Sequence, residues 1–139
     1  MRRAEEVLLV MHRQAASDRE YLVLMRAPDR GGYWHLAGGG AEDDETPAEA
    51  GRRELVEETG LREPVHFEPL PLVLGYDDGD AWITVHFCAV EASPDWEPTL
   101  DEEHVEYRWC AEDEAAGLLE YPEPREGLRA VARQLEVEA

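Results

Sequence analysis

Glu54, Glu57 and Glu58 stand at i, i+3 and i+4 in a run that reads as helix, which puts their carboxylates on one face. Three like charges side by side cost stability unless something neutralises them. Oxygen-only ligands with room for water suit a hard divalent cation, Mg²⁺ or Mn²⁺, so this face reads as a metal site or, on the three glutamates alone, as a solvated acidic face. Arg53, beside Glu54, is placed to orient a neighbouring carboxylate such as Glu45 through two parallel hydrogen bonds. Upstream, Gly38, Gly39 and Gly40 let the backbone approach closely, so the Gly39 carbonyl is a further candidate ligand. These glycines do not make a phosphate-cradling P-loop, because no Gly-Lys-Ser/Thr follows and the chain contains no lysine.

A rigid element must hold those carboxylates, and its ends are written in the sequence. Thr46 suits an N-cap, Pro47 the first helical position, and Gly60 the residue just past the end. These signals predict a helix over residues 47–59. Ala48, Gly51, Leu55 and Thr59 form a small or apolar stripe that can lie on a core, with Glu49, Arg52 and Val56 toward solvent.

The rest of the chain supplies a sheet. Residues 7–12 read as a buried strand and 21–25 as a second, joined by a polar turn at 14–19. Residues 27–32, with Pro28, Asp29, Gly31 and Gly32, read as a loop. Three prolines over 63–71 predict an irregular or edge strand around 65–67, and 72–76 with 81–90 predict a hairpin about the Asp77-Asp78-Gly79-Asp80 turn. That turn lacks the spacing of a calcium loop and reads as solvated. Residues 93–100 form a loop whose Trp96 either stacks on a ligand or packs on the rim, packing being favoured. A strand at 105–110, a helix at 111–120, a break at Tyr121-Pro122-Glu123-Pro124 and an amphipathic helix at 125–137 complete the order.

The helix and its lead-in resemble the signature of the Nudix hydrolases. Gly39, Glu45, Arg53, Glu54, Leu55, Glu57, Glu58, Gly60 and Leu61 fill its nine fixed positions. Ala37 and Asp44 stand where many members have Pro and Gly, outside the fixed set. The run Glu103-His104-x-x-Tyr107-x-Trp109 resembles members of the dihydroneopterin triphosphate and diadenosine tetraphosphate hydrolase types, extending the likeness over about residues 7–135. The resemblance implies an α/β/α sandwich around a mixed sheet, an α/β (α+β) fold in a single domain spanning 1–139. It implies cleavage of a pyrophosphate bond in a nucleoside or pterin triphosphate, or another nucleoside diphosphate linked to a second group, with Mg²⁺ or Mn²⁺.

On that resemblance Glu54, Glu57 and Glu58 hold the ions and Glu103 sits on a loop over them as an added ligand or general base. Glu54, Glu57 and Glu103 all remain candidates for the base. Arg26 follows the second strand where members commonly place a basic residue, as a phosphate contact or a surface ion pair. Trp34 matches the family's aromatic before the box, where it packs. Substrate identity is expected in loops around 26–33, 77–82 and 94–103, which makes Tyr33 a candidate contact; Tyr76 lends support to the alternative of dinucleoside polyphosphate hydrolysis. A catalytically silent nucleotide-binding module is the reading from another class, and the intact set of glutamates argues against it.

With 139 residues the chain is long enough for one sizeable core. Thirteen Arg against 33 Asp and Glu give a net charge of −20, which repels polynucleotides and anionic membranes. Such a protein can still act on a small phosphoanhydride where a cation bridges the two. Absence of a long apolar run and of a cleavable leader pattern makes a cytoplasmic protein the expectation. Cys88 and Cys110 sit in apolar strand-like settings and read as buried free thiols. Either a monomer or a homodimer is compatible with the sequence.

Overall fold

Strand β1, Glu5–Gln14, carries an unbroken buried run over residues 7–12, the pattern of a strand covered on both faces. In the computed structural model, which describes residues 4–138, β1 is the centre of a seven-stranded mixed sheet. Strand β2, Arg19–Arg26, pairs antiparallel with the end of β1, from His12 opposite Tyr21. After a 3₁₀ turn at Pro28–Arg30 come β3, Trp34–His35, against β2, and β4, Ala37–Gly40, against the start of β1. Helix α1, Pro47–Thr59, follows, then β5, His66–Asp77, and β6, Trp82–Glu91. Strand β6 pairs parallel with β1 and antiparallel with β5; β7, His104–Cys110, pairs antiparallel with β2. Helices α2, Glu112–Leu118, and α3, Pro122–Glu138, end the chain.

Side-chain alternation along β1 divides the core in two. Val7, Leu9 and Met11 cluster with Ala50 and Leu55 of α1, whereas Leu8 and Val10 cluster with Ala115 and Ala116 of α2 and Leu128, Val131 and Ala132 of α3. Helices therefore cover both faces, giving the expected α/β/α sandwich. Burying one such leucine contributes about 2 kcal/mol, so each helix is docked mainly by its apolar stripe. None of the helices in the described residues is long and apolar enough to cross a membrane.

Helix α1 has the predicted ends. The Thr46 side chain accepts from the Glu49 N–H at 3.1 Å while Glu49 accepts from the Thr46 N–H at 2.8 Å, a reciprocal cap, and Gly60 closes the helix at φ +79°. Its buried stripe differs from the expected one. Ala50, Gly51, Leu55, Glu58 and Thr59 are buried, whereas Ala48 and Val56 are half-buried.

Other boundaries also move. The expected short strand at 65–67 and the hairpin arm at 72–76 are one strand, β5, whose register slips between Pro69 and Val73. An outer strand tolerates the missing proline N–H groups. Pro122 and Pro124 do not separate two helices by a broken segment; they occupy the first turn of α3, where no N–H is needed. The preceding helix stops at Leu118. The three glycines form most of β4. Trp34 packs against the core, and Trp96 packs edge-on against Trp109 at 6.2 Å between ring centres. Cys88 and Cys110 are free and buried, as expected.

Candidate active site

Strand β4 brings the backbone to the box helix. Gly38 has φ +143°, and a Cβ there would run into the Val7 carbonyl; a Cβ on Gly39 would meet the Glu54 carboxylate at 2.9 Å. Only glycine permits both approaches. The Gly38 N–H donates to Glu58 Oε1 at 2.8 Å, tying the strand to the helix.

Arg53 organises the carboxylates around itself. Its Nε and Nη2 donate to the two oxygens of Glu45 at 2.6 and 2.9 Å, the expected two-pronged contact. Nη1 reaches Glu54 at 2.8 Å and Glu57 at 3.1 Å, and Nη2 also donates to the Gly40 carbonyl at 3.1 Å. One planar cation therefore fixes three box carboxylates and the end of β4, geometry that a lysine ammonium does not reproduce. These hydrogen bonds hold Arg53 protonated well above its ordinary value, with Glu45 the largest contributor.

The three metal-face glutamates are not alike, which corrects the picture of one presented acidic face. The Glu57 side chain is 54% exposed and that of Glu54 only 12%, while Glu58 is 3% exposed. Burial pushes the Glu58 carboxyl up to about 9. The Gly38 N–H opposes that rise, and the carboxylates of Glu54, Asp101 and Glu103 add to it. Burial also raises Glu54, against the pull of Arg53, and a hydrogen bond from Glu58 favours its ionised form. Burial thus favours the protonated form of Glu58, whose hydrogen bond favours the ionised form of Glu54.

Asp101, on the loop before β7, and His104, the first residue of β7, complete the cluster. One ligand atom each of Glu58, Asp101 and His104 lie within 4.8 Å of one another. His104 Nδ1 is 3.0 Å from Asp101 Oδ1, and its buried Nε2 has no partner among the described residues. Glu103, the sequence-predicted loop residue, instead lies 3.6 Å from Arg30 with its side chain 36% exposed, at the rim of the cluster. Asp101 and His104 were missed as site residues. Their i, i+3 spacing just before a strand was the available signal, and nothing local linked it to Glu58.

On the other face of the sheet, Tyr33 and Tyr76 come together with Glu6, Leu8, His35, Tyr121 and the Asp77-Asp78 turn around a cavity of about 550 Å³. Tyr33 meets Tyr121 edge-on at 5.3 Å and His35 at 5.6 Å. The Tyr76 hydroxyl donates to Glu6 Oε2 at 3.3 Å. Burial drives the Tyr76 phenol up to about 12, with Glu6 adding to the rise, so it remains a donor. Arg26 is turned toward this cavity's wall: its Nε donates to the Arg30 carbonyl at 2.9 Å and its guanidinium lies 5.6 Å from the Tyr33 ring centre. Tyr121 and Glu6 were not anticipated, because neither belongs to a recognisable spacing.

Strand β4 lies between the two regions. Gly40 sits opposite Glu6 in the pairing with β1, while its carbonyl and the Cα of Gly39 face Arg53 and Glu54. Gly38 and Gly40 sit opposite Leu8 and Glu6, which line the cavity, and set no side chain beside either.

Comparison with known proteins agrees with this architecture. A family model described as "NUDIX domain" matches residues 2–134. The chain is 35% identical over 123 residues to an octanoyltransferase of Myxococcus xanthus, a match covering 81% of this chain and 31% of that protein, so it spans about a third of that relative's length. It is 37% identical over 111 residues to the nucleoside triphosphatase NudI of Klebsiella pneumoniae, covering 70% of this chain and 77% of that one. Among solved structures, an Ap4A hydrolase of C. elegans superposes with a TM-score of 0.83 at 22% identity, covering 96% of this chain and 98% of that one. The dihydroneopterin triphosphate pyrophosphohydrolase of E. coli gives 0.78 at 21%, covering 92% and 94%. The two structures speak for the fold; the family match, running almost from end to end, establishes that this chain belongs to the Nudix family.

Proposed function

We propose that the protein is a divalent-cation-dependent hydrolase that cleaves a pyrophosphate bond in a small nucleotide-like triphosphate, of either a nucleoside or a pterin. The observation that carries this reading is the glycine run of strand β4, with a carboxylate cluster on one side and a tyrosine-walled cavity on the other. A ring in the cavity and a phosphate chain at the carboxylates would use both. The name of the nucleoside triphosphatase relative supports the same substrate class.

The donor set fits a cation. Glu54, Glu57 and Glu58, with the Gly39 carbonyl, would hold it, and Asp101 and Glu103 border the same space. His104 joins Glu58 and Asp101 in a group able to offer one ligand atom each, and among the described residues its buried Nε2 has no hydrogen-bond partner. Mg²⁺ or Mn²⁺, when bound, supplies positive charge to phosphoryl oxygens and makes a water easier to deprotonate. The chain's own residues do the rest. Arg53 keeps Glu54 and Glu57 in place. Glu58 gives up its proton when the site fills. Glu103, loosely held at 3.6 Å from Arg30, is the carboxylate free to take a proton from the attacking water. Arg26, beside Tyr33, is placed for the substrate's phosphates.

Dinucleoside polyphosphate hydrolysis is the second reading, favoured by the position of Tyr76 in the cavity wall. A cytoplasmic location is part of the same proposal, and the charge of −20 disfavours polynucleotides and anionic membranes as partners, leaving small phosphoanhydrides. The deciding experiment is a turnover screen with Mg²⁺ or Mn²⁺ over nucleoside triphosphates, dihydroneopterin triphosphate, dinucleoside polyphosphates and nucleotide sugars, with phosphate and pyrophosphate detected separately. Cation-dependent turnover lost in Glu57→Gln supports the reading. Turnover that survives both Glu57→Gln and Glu58→Gln removes it.

A further inference from the structure

The cavity has an unusual balance of hydrogen-bonding groups. Its floor is Leu8 and the half-buried Glu6 on β1, its walls are Tyr33, Tyr76 and Tyr121, and Asp77, Asp78 and Glu123 stand around it. Burial raises the Glu6 carboxyl, with Glu123 adding to the rise, while the Tyr76 hydroxyl and the nearby Arg26 favour its ionised form. In that form a carboxylate only accepts hydrogen bonds. His35 adds a further acceptor: its Nδ1 lies 2.9 Å from the Leu36 carbonyl, which fixes the proton on that nitrogen and leaves Nε2 with a lone pair. The Tyr76 hydroxyl is already spent on Glu6. Asp77 and Asp78 already accept from the N–H groups of their own turn, and the Tyr33 and Tyr121 hydroxyls and Arg26 bring donors to the walls. The acceptors that decide are therefore Glu6 on the floor and His35 Nε2 beside it, and a ring edge that faces Glu6 must bring donors.

Flat heterocycles differ sharply in this respect. A 2-amino-4-oxopyrimidine edge presents a ring N–H and an adjacent amino group side by side, two parallel donors that match the two oxygens of one carboxylate. Adenine offers an amino group next to a lone pair, and uracil offers one N–H between two carbonyls; each would turn an acceptor toward Glu6. An uncompensated acceptor–acceptor contact in a partly desolvated cavity is costly.

We propose that Glu6 makes this cavity selective for a 2-amino-4-oxopyrimidine edge, the edge shared by guanine and pterins. The proposal rests on the reading above that the substrate's ring occupies the cavity. Leu8 and the tyrosines supply apolar and stacking surface to any ring, so discrimination falls to the carboxylate. Tyr76 acts as a positioning residue: its hydroxyl holds one Glu6 oxygen and orients the carboxylate toward the incoming edge.

The test removes one donor from the ligand and, separately, the charge from the protein. Steady-state kinetics with GTP, ITP, ATP and dihydroneopterin triphosphate are paired with calorimetric binding of the same compounds to Glu57→Gln. ITP is GTP without the 2-amino group, so the wild-type protein itself serves as the probe. The expected result is kcat/KM for GTP about ten- to a hundredfold above ITP and ATP, carried by KM, the scale of one hydrogen bond to a charged group. Glu6→Gln is expected to shrink the GTP-to-ITP ratio about tenfold, and Tyr76→Phe to shrink it by less. Should Glu6→Gln fail to fold by circular dichroism, the wild-type GTP-to-ITP ratio decides alone.

Dihydroneopterin triphosphate outpacing GTP assigns the edge to a pterin; the reverse order assigns it to guanine. Equal handling of GTP, ITP and ATP overturns the proposal while leaving the hydrolase intact, as does an unchanged ratio in folded Glu6→Gln. Selective binding without turnover of any compound sinks the hydrolase reading and keeps the edge selectivity. Neither binding nor turnover sinks both.

Discussion

The two sides of β4 are assembled in opposite ways. On the α1 side, Glu45, Arg53, Glu54, Glu57 and Glu58 fall within one short stretch, and a single guanidinium binds three of the four glutamates and the Gly40 carbonyl through contacts of 2.6 to 3.1 Å. On the cavity side, Glu6, Tyr33, Tyr76 and Tyr121 come from four distant parts of the chain and meet only because the sheet and α3 bring them together. A site built from one helix is fixed by local spacing and polar bonds. A site built from four segments depends on the whole fold and can change with any of its loops, which suits recognition rather than chemistry.

The largest effect is expected from breaking the carboxylate side. Glu58→Gln removes a ligand and the charge it must carry when a cation binds, and kcat should fall about 10²–10³-fold, read in steady-state assays, while ligand affinity measured by calorimetry stays within a fewfold. Arg53→Lys should come next, because one ammonium cannot replace the fork that holds Glu45, Glu54 and Glu57. A kcat about tenfold or more below wild type, with an unchanged circular dichroism spectrum, would mark loss of positioning; full activity would show that the network is ornamental to catalysis.

Tyr121→Ala probes the other side. Removing one aromatic wall should cost about 1–3 kcal/mol of ring stacking, seen as a rise in KM of about tenfold with kcat little changed. A proton readout then connects the two regions to pH. Since Glu58 is pushed up to about 9 by burial, Mn²⁺ binding at pH 7 should release about one proton, measured calorimetrically in two buffers of different ionisation enthalpy. Glu58→Gln should abolish that release.

The smallest test uses His12 as a reference away from both. It is buried on β1, receives a hydrogen bond at Nδ1 from Arg19 at 2.7 Å, and burial holds its pKa down to about 3, with Arg19 and His66 acting in the same direction. Unfolded, it titrates near 6.5, so between about 6.5 and 3 the unfolded chain binds the extra proton. Stability from this residue is present above 6.5 and lost as pH falls, about 2 kcal/mol by pH 5. Denaturant unfolding at pH 5 and 7 should show a shallower loss in His12→Asn than in wild type; equal slopes would remove the effect.

What the sequence revealed follows the same division. The ends of α1 were legible because Thr46, Pro47 and Gly60 each have a local physical role, and the pairing of Arg53 with Glu45 followed from geometry along one helix and its lead-in. The burial of Glu58 was not legible: a glutamate's position on the helix wheel does not say that β4 will cover it. Asp101 and His104 reach Glu58 across more than forty residues of chain, a distance that only the sheet closes. The prolines at 122 and 124 misled for a related reason, since a helix start and a helix break use the same residue and differ only in what precedes them. β5 read as two pieces because its prolines interrupt the pattern without interrupting an outer strand.

The central claim, that chemistry and recognition sit on opposite sides of β4, is tested most directly by the double variant Glu57→Gln/Tyr121→Ala, measured with both single variants for kcat and KM on the best substrate. The account predicts that Glu57→Gln lowers kcat, that Tyr121→Ala raises KM, and that the double variant shows the product of the two effects, as independent sites do. Loss of kcat in Tyr121→Ala comparable to that in Glu57→Gln, or strong non-additivity in the pair, would contradict it.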